Sequence, residues 1–310
     1  MATITQFPKS IQPAFNPILL KLTTTTFEES ATIYVTIDSK VYTLTKEFFD
    51  NVIVFDLSFL LRKHVSKTTP VVFYSVDYAS STYIFSALNA VKQIGESTDM
   101  TSIKGKFLTL MPFVRHYEGF TTQIVFYQFT GQNQVQYSGY PPTDLPFGIT
   151  TALVPTSSAS KITIIAAGNS ESIECINSCV PESPFYVRWI NQLGGFDYWM
   201  FGKRQEKALS IFNLKEYNPF FEDSASVDTN RKLLSRESSR FVEVGAEMIK
   251  DNEFDELIKI LLSPEVEYYN GSKWVPISIT NQEVTKTTSN AHHSIALEFE
   301  LPNPILQTNN

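Results

Sequence analysis

Between residues 30 and 47 polar and apolar side chains change places at nearly every step. Ile33, Val35 and Ile37 alternate with Thr32, Tyr34 and Thr36, and VYTLT (41–45) continues the pattern. A period of two puts successive side chains on opposite faces, so the pattern predicts two half-buried strands joined by a tight connection at Asp38-Ser39-Lys40. ILLKLTT precedes them as a further strand. In NVIVFDLSFLLRKHV an apolar run passes into a helical turn, with Leu57, Leu60 and Leu61 at helical spacing and Asp56 as its N-cap. VVFYSVDYAS, TYIFSALNAV, FLTLMPFVRHY, TTQIVFYQFT and KITIIAAG are extended, aromatic and β-branched. Residues 138–160, with four of the chain's 16 prolines, predict a long loop. The small polar stretch AGNSESIECINSCVPESP (167–184), with two prolines near its end, marks a domain boundary.

Beyond it the pattern changes. PFYVRWI and FDYWMFG flank NQLGG and predict a hairpin over 184–202. DNEFDELIKILLSP predicts a helix over about 251–262, with Phe254, Leu257, Ile258, Leu261 and Leu262 on one buried face. A closing sheet follows over 265–301. There Asn270-Gly271 is the turn signal, setting Val266 opposite Val275, and Ile295, Leu297, Phe299 and Leu301 alternate in a last strand. The expected fold is mainly β with a minor α+β module. An antiparallel β-sandwich-like N-terminal domain (1–182) precedes a hairpin, helix and antiparallel-sheet C-terminal domain (183–310).

Composition narrows the partners. The 310 residues include 24 Phe and 14 Tyr but only 18% charged residues, with a net charge of −7. Without a cluster of Lys and Arg, neither a phosphate backbone nor an anionic membrane surface is an expected partner. The start MATITQFPKSIQPAFNPILL lacks a signal-peptide pattern, and no apolar run has the length of a spanning helix. Cys175 and Cys179 are therefore expected as free thiols in a cytoplasm-like compartment. His64, His116, His292 and His293 do not complete a zinc spacing with them.

The search for chemistry returns weak candidates. GNSES (168–172) lacks the second glycine and the following helix of a nucleophile elbow. Glu171/Glu174 and Glu265/Glu267 are carboxylate pairs by proximity alone. His116 stands beside Arg115 and near Glu118, and His292-His293 should point to opposite faces of a strand. Asn270-Gly271-Ser272 matches a glycosylation sequon that the turn itself explains. No catalytic residue, metal or cofactor is expected.

The stretch RWINQLGGFDYWMFGK stands apart. It carries two of three tryptophans, and aromatic residues fall on both faces of both arms. Core packing, a subunit interface and a ligand platform are all open readings, with Trp189, Gly194, Gly195, Tyr198, Trp199 and Phe201 as the anchors. FYVRWINQLGGFDYWMF, then LLSPEVEYY, the NGSKWVPISI hairpin and the alternating last strand together resemble tail and other virion structural proteins of tailed bacteriophages infecting Bacteroidetes. NPILLKL and FDLSFLLR fit the same pattern. The resemblance implies a repeated, non-enzymatic block of a tail or distal-tail assembly, built in host cytoplasm, whose partners are further copies of itself and other virion proteins. A carbohydrate- or receptor-binding β module using Tyr198 and Trp199 is the first alternative, and an unrecognised glycan hydrolase the second.

Overall fold

A computed structural model describes residues 2–26, 29–67, 69–92, 96–103, 106–128, 133–145, 148–153, 161–166, 169–217, 232–280, 284–286 and 292–302. The fold is mainly β, with two sheet-rich units and a small helical region. The first unit comprises Met1–Cys179, Arg188–Tyr198 and Leu262–Pro264, and the second comprises Val180–Val187, Trp199–Leu261 and Glu265–Asn310.

The first unit opens with β1 (Thr3–Gln6), β2 (Ile11–Pro13), β3 (Leu19–Thr23), β4 (Ser30–Ile37), β5 (Lys40–Glu47), β6 (Val52–Asp56), helix α1 (Ser58–Leu61), β7 (Val71–Tyr78) and β8 (Ser81–Leu88). These form two sheets, β1-β3-β6 and β2-β8-β7-β4-β5. One core joins them: Leu20, Leu22, Ile53 and Phe55 meet Ile33, Val35, Ile37, Val72, Tyr74 and Val76, with Leu57, Leu60 and Leu61 of the helical turn. The β4–β5 turn is two residues long, with Asp38 and Ser39 both left-handed at φ 47° and 66°. That geometry matches the twist of the flanking strands. Ala79-Ser80 repeats it between β7 and β8 without a glycine or asparagine. The N-cap of α1 is Leu57 rather than Asp56; the Asp56 carboxylate still accepts from the Ser58 and Ile18 amides.

Eight further strands follow: β9 (Lys106–Phe107), β10 (Val114–Tyr117), β11 (Gln123–Gln128), β12 (Asn133–Tyr137), β13 (Thr143–Leu145), β14 (Gly148–Leu153), β15 (Lys161–Ala166) and β16 (Asn169–Ser178). They make sheets β14-β11-β9 and β10-β16-β15-β12-β13, closed over Phe107, Val114, Ile124, Phe126, Val135, Ile162, Ile164, Ile173 and Cys175. Pairing is mostly antiparallel, with parallel neighbours at β2–β8 and β10–β16. One expectation is corrected here. The predicted loop 138–160 holds β13 and β14, which run along sheet edges, where proline-flanked strands are tolerated. The polar stretch expected to mark the boundary holds β16, in which Ile173 and Cys175 are buried and Ser172 and Glu174 are exposed. Its polar composition conceals a one-face alternation.

The second unit is built on β17 (Phe185–Ile190), β18 (Phe196–Phe201), β19 (Lys203–Tyr217), β20 (Lys232–Lys250), helix α2 (Asp251–Leu257), β21 (Val266–Tyr269), β22 (Trp274–Ile279) and β23 (His292–Leu301). The strands form one sheet in the order β18-β17-β21-β22-β23-β20-β19. Val266 pairs with Ile277 rather than Val275, because the turn spans Asn270 to Lys273 between the paired Tyr269 and Trp274. Asn270 Oδ1 accepts from the amides of Ser272 and Lys273, an Asx turn that lengthens the loop by two residues.

The predicted helix 251–262 is α-helical only to Leu257 and then tightens to a 3₁₀ turn over Ile258–Leu262. With three residues per turn the apolar face continues at every third position. Phe254, Leu257 and Ile260 are buried, Ile258 is half-buried, and Leu262 is exposed, contrary to the α-helical expectation for the last two. Ile260→Ala is expected to cost about 2–4 kcal/mol, Ile258→Ala less, and Leu262→Ala under about 0.5 kcal/mol. Urea denaturation of the three variants orders them; a larger loss at Ile258 than at Ile260 would contradict the 3₁₀ packing.

Candidate functional site

The turn of the RWINQLGGFDYW hairpin is organised by one side chain. Asn191 is buried; its Oδ1 accepts from the amides of Leu193 (2.9 Å) and Gly195 (3.2 Å), and its Nδ2 donates to the carbonyl of Leu108 at 2.8 Å. Its own amide donates to the Gly195 carbonyl, and Gly194 donates to its carbonyl. The two glycines serve different needs. Gly194 is left-handed, at φ 84°. Gly195 has ordinary φ, but a Cβ there would lie 1.9 Å from the Leu108 oxygen, so close approach excludes any side chain. The positive φ of the turn belongs to Gly194 alone of the two.

Around this turn two charged residues are buried, Arg188 and Asp197. The Arg188 guanidinium lies 4.4 Å from the centre of the Phe196 ring, a cation–π distance. The Asp197 carboxylate accepts from the Thr109 hydroxyl, which in turn accepts from the Met111 amide. Burial pushes the Tyr198 phenol up to about 12, against the opposing pull of Arg188. Thr109, Met111, Thr122, Phe196, Asp197 and Tyr198 help line a cavity of about 20 Å³. That is room for about one water.

The remaining anchors are packed. Trp189 is 1% exposed, Tyr198 8%, Trp199 6% and Phe201 0%. In the second unit Phe201 meets Phe299 at 6.1 Å, Phe299 meets Phe185 at 5.5 Å, and Phe185 stacks on Tyr268 at 5.4 Å with rings 5° apart. A saccharide platform needs ring faces open to solvent, and Tyr198 and Trp199 do not offer them.

The weaker candidates do not converge. Asn169 to Ser172 of the GNSES stretch lie within a strand, while Gly168 falls outside the described residues. Glu171 accepts from the Phe107 amide at 2.7 Å, whereas Glu174 is exposed three positions along. Glu267 is buried and Glu265 half-buried beside the 3₁₀ turn. His292 is exposed and His293 buried; His293 Nε2 meets Asp251 at 2.9 Å, and Asp251 also pairs with Lys286. Arg115 turns to Ser178 and the Phe113 ring, leaving His116 buried with no hydrogen-bond partner at either nitrogen among the described residues. Both cysteines are free, Cys175 being buried with its thiol pushed up to about 11 by burial. Among the described residues no group of three or more His, Cys, Asp or Glu can hold a metal ion, and no helix is long and apolar enough to cross a membrane.

No family description matches this chain, and no curated protein matches it in sequence. Solved structures overlap it weakly. A titin fragment is 9% identical and covers 57% of this chain and 98% of its own, at a TM-score of 0.21. The I9–I11 tandem of titin is 8% identical over 89% of this chain and 97% of its own, at 0.21. A chimeric titin tandem carrying a fibronectin-derived peptide is 9% identical over 58% and 99%, at 0.18. Overlaps at these scores define neither a common fold nor a common role. The described residues define a mainly β, sandwich-type structural architecture with an appended helix and sheet.

Two outcomes test the site. Gly195→Ala and Asn191→Leu are each expected to cost about 3 kcal/mol or more, the first by backbone collision and the second by orphaning buried amides. Gly194→Ala should cost less, about 1–3 kcal/mol. Chemical denaturation that ranks Gly194→Ala worst would contradict the assignment. Burial also holds the His116 imidazole below its ordinary 6.5, with Glu118 pulling it up. The unfolded chain then takes up the proton first, so the contribution of His116 is complete above that value and declines as pH falls through it. His116→Phe should flatten the loss of stability in urea melts between about pH 7 and 5.

Proposed function

We propose that this protein is a non-enzymatic structural block of a virion tail or distal-tail assembly, acting as a repeated copy beside other virion proteins. The observation that carries this reading is the burial of the aromatic hairpin about a turn whose adjoining cavity admits a single water. Aromatic residues are spent on packing rather than displayed for a ligand. The resemblance of FYVRWINQLGGFDYWMF and the closing hairpin to tail-type proteins of phages infecting Bacteroidetes supports the same role, as does a chain rich in Phe and Tyr and poor in charge. On this reading the hairpin is a rigid support, and assembly contacts lie on other surfaces.

Light scattering and electron microscopy of the purified protein should show multimers, or rings and tubes once neighbouring proteins are added. A chain that remains monomeric at all concentrations and never joins particles would sink the proposal. Trp199→Ala should cost about 3–5 kcal/mol of stability. A variant that folds normally but loses saccharide binding on a glycan array would instead promote the carbohydrate-binding alternative.

A further inference from the structure

The sheet β2-β8-β7-β4-β5 turns one face to the core of the first unit and the other away from it. Antiparallel partners directly opposite share a face, so the registers arrange the outward side chains in rows. One row reads Val41, Thr36, Ser75, Ile84 across β5, β4, β7 and β8, and the next reads Thr43, Tyr34, Asp77, Thr82. Phe73 lies on β7 one row to the other side of Ser75. Tyr34, Val41, Phe73 and Ile84 are between 47% and 74% exposed, Ile84 the most. They surround the short, half-buried side chains of Thr36 and Ser75. A half-turn about that central pair exchanges Val41 with Ile84 and Tyr34 with Phe73. The face is thus a shallow hollow ringed by apolar knobs. Among the described residues of these rows the only charged side chain is Asp77, whose carboxylate accepts from the Thr82 hydroxyl. Single exposed apolar residues are ordinary, but a charge-poor group of them with two aromatics has the composition of an interface core.

We propose that this outward face is a two-fold seam between copies of the chain, with Ile84 of each copy seated in the Thr36–Ser75 hollow of the other. Size and charge favour a second copy as the occupant. β4, β5, β7 and β8 are 8 residues each. At about 3.4 Å per residue and about 4.8 Å between strands, the face covers roughly 500 Å² in plan. Two such footprints reach the ~1,000 Å² total at which specific interfaces begin. The chain carries a net charge of −7, so two copies meet with least repulsion where a face is poor in charge. A closed pair also needs a surface that complements itself, knob to hollow and hollow to knob. Both lie on this one face, about 7 Å apart at one and a half strand spacings. Ile84 is the most exposed knob and is longer than Val41, its half-turn equivalent. The seam rests on the building-block reading and specifies one of its contacts.

Paired substitutions test it in the full chain. Ile84→Lys and Ser75→Glu each set an unpaired charge against the other copy. Each should halve the particle mass seen by light scattering while melting with the parent. An equimolar mixture of the two should restore the parent mass, because one contact of the mixed pair joins the two introduced charges and the other is the parental contact. Misfolded chains could not recombine in this way. Thr36→Glu, on the other half of the hollow, takes the place of Ser75→Glu if the latter lowers the melting temperature. Oligomers whose mass none of these variants changes, or variants whose mixture stays at low mass, would overturn the seam and leave the building-block reading standing. A parent chain that is monomeric throughout would overturn both.

Discussion

The carbonyl oxygen of Leu108 is the point to which the aromatic hairpin is tied. It accepts from Asn191 Nδ2 and lies where only a glycine backbone, that of Gly195, can pass. One buried oxygen therefore sets both the closure of the turn and its distance from the segment that follows β9. Moving the turn outward by an ångström would orphan the Asn191 amide, and adding a side chain would force that movement. Arg188 and Asp197 are buried beside the same turn, with the Phe196 ring against the one and the Thr109 hydroxyl bonded to the other. Buried charges tolerate little slack, since an unpaired one costs far more than its pairing returns.

Much of this was legible in the residues, and each failure has a physical cause. Alternation revealed β4, β5, β7 and β8 because one face of each is buried and the other wet. β16 was hidden because its wet face, with Ser170, Ser172 and Glu174, dominates the composition and only Ile173 and Cys175 mark the dry one. β19 and β20 escaped altogether: Glu206 to Ser210 have no buried face to mark a strand, whereas β20 does alternate, with Val242, Val244 and Ala246 buried, behind a long run of polar residues. At α2 the apolar run was read at the α-helical period, and the shift to three residues per turn after Leu257 moved burial from Ile258 and Leu262 to Ile260. At the hairpin, aromatic abundance pointed to Trp199 and Tyr198, while Asn191 carries the turn. A lone asparagine among turn residues carries no pattern of its own until its partners are known.

The two buried aromatic groups have different physics. In the first unit, rings are interleaved with charge, as Arg188 over Phe196 shows, so geometry is specified by direction as well as volume. In the second unit Phe185, Tyr268, Phe299 and Phe201 form a chain of ring contacts that links side chains of β17, β18, β21 and β23 by shape. Shape tolerates substitution of like volume, whereas a satisfied polar turn does not. Sequence drift should accordingly be freer along the ring chain than at Asn191, Gly194 and Gly195.

The interleaving of the units has a consequence for how the chain is made. The first unit includes Arg188–Tyr198 and Leu262–Pro264, and the Ser263 hydroxyl donates to the Ile190 carbonyl. That bond must wait for translation of about 75 further residues, roughly 4–15 s at ordinary elongation rates. During that interval the nascent chain carries a nearly finished first unit with an unsealed aromatic hairpin, the moment at which a holdase chaperone would find most to bind.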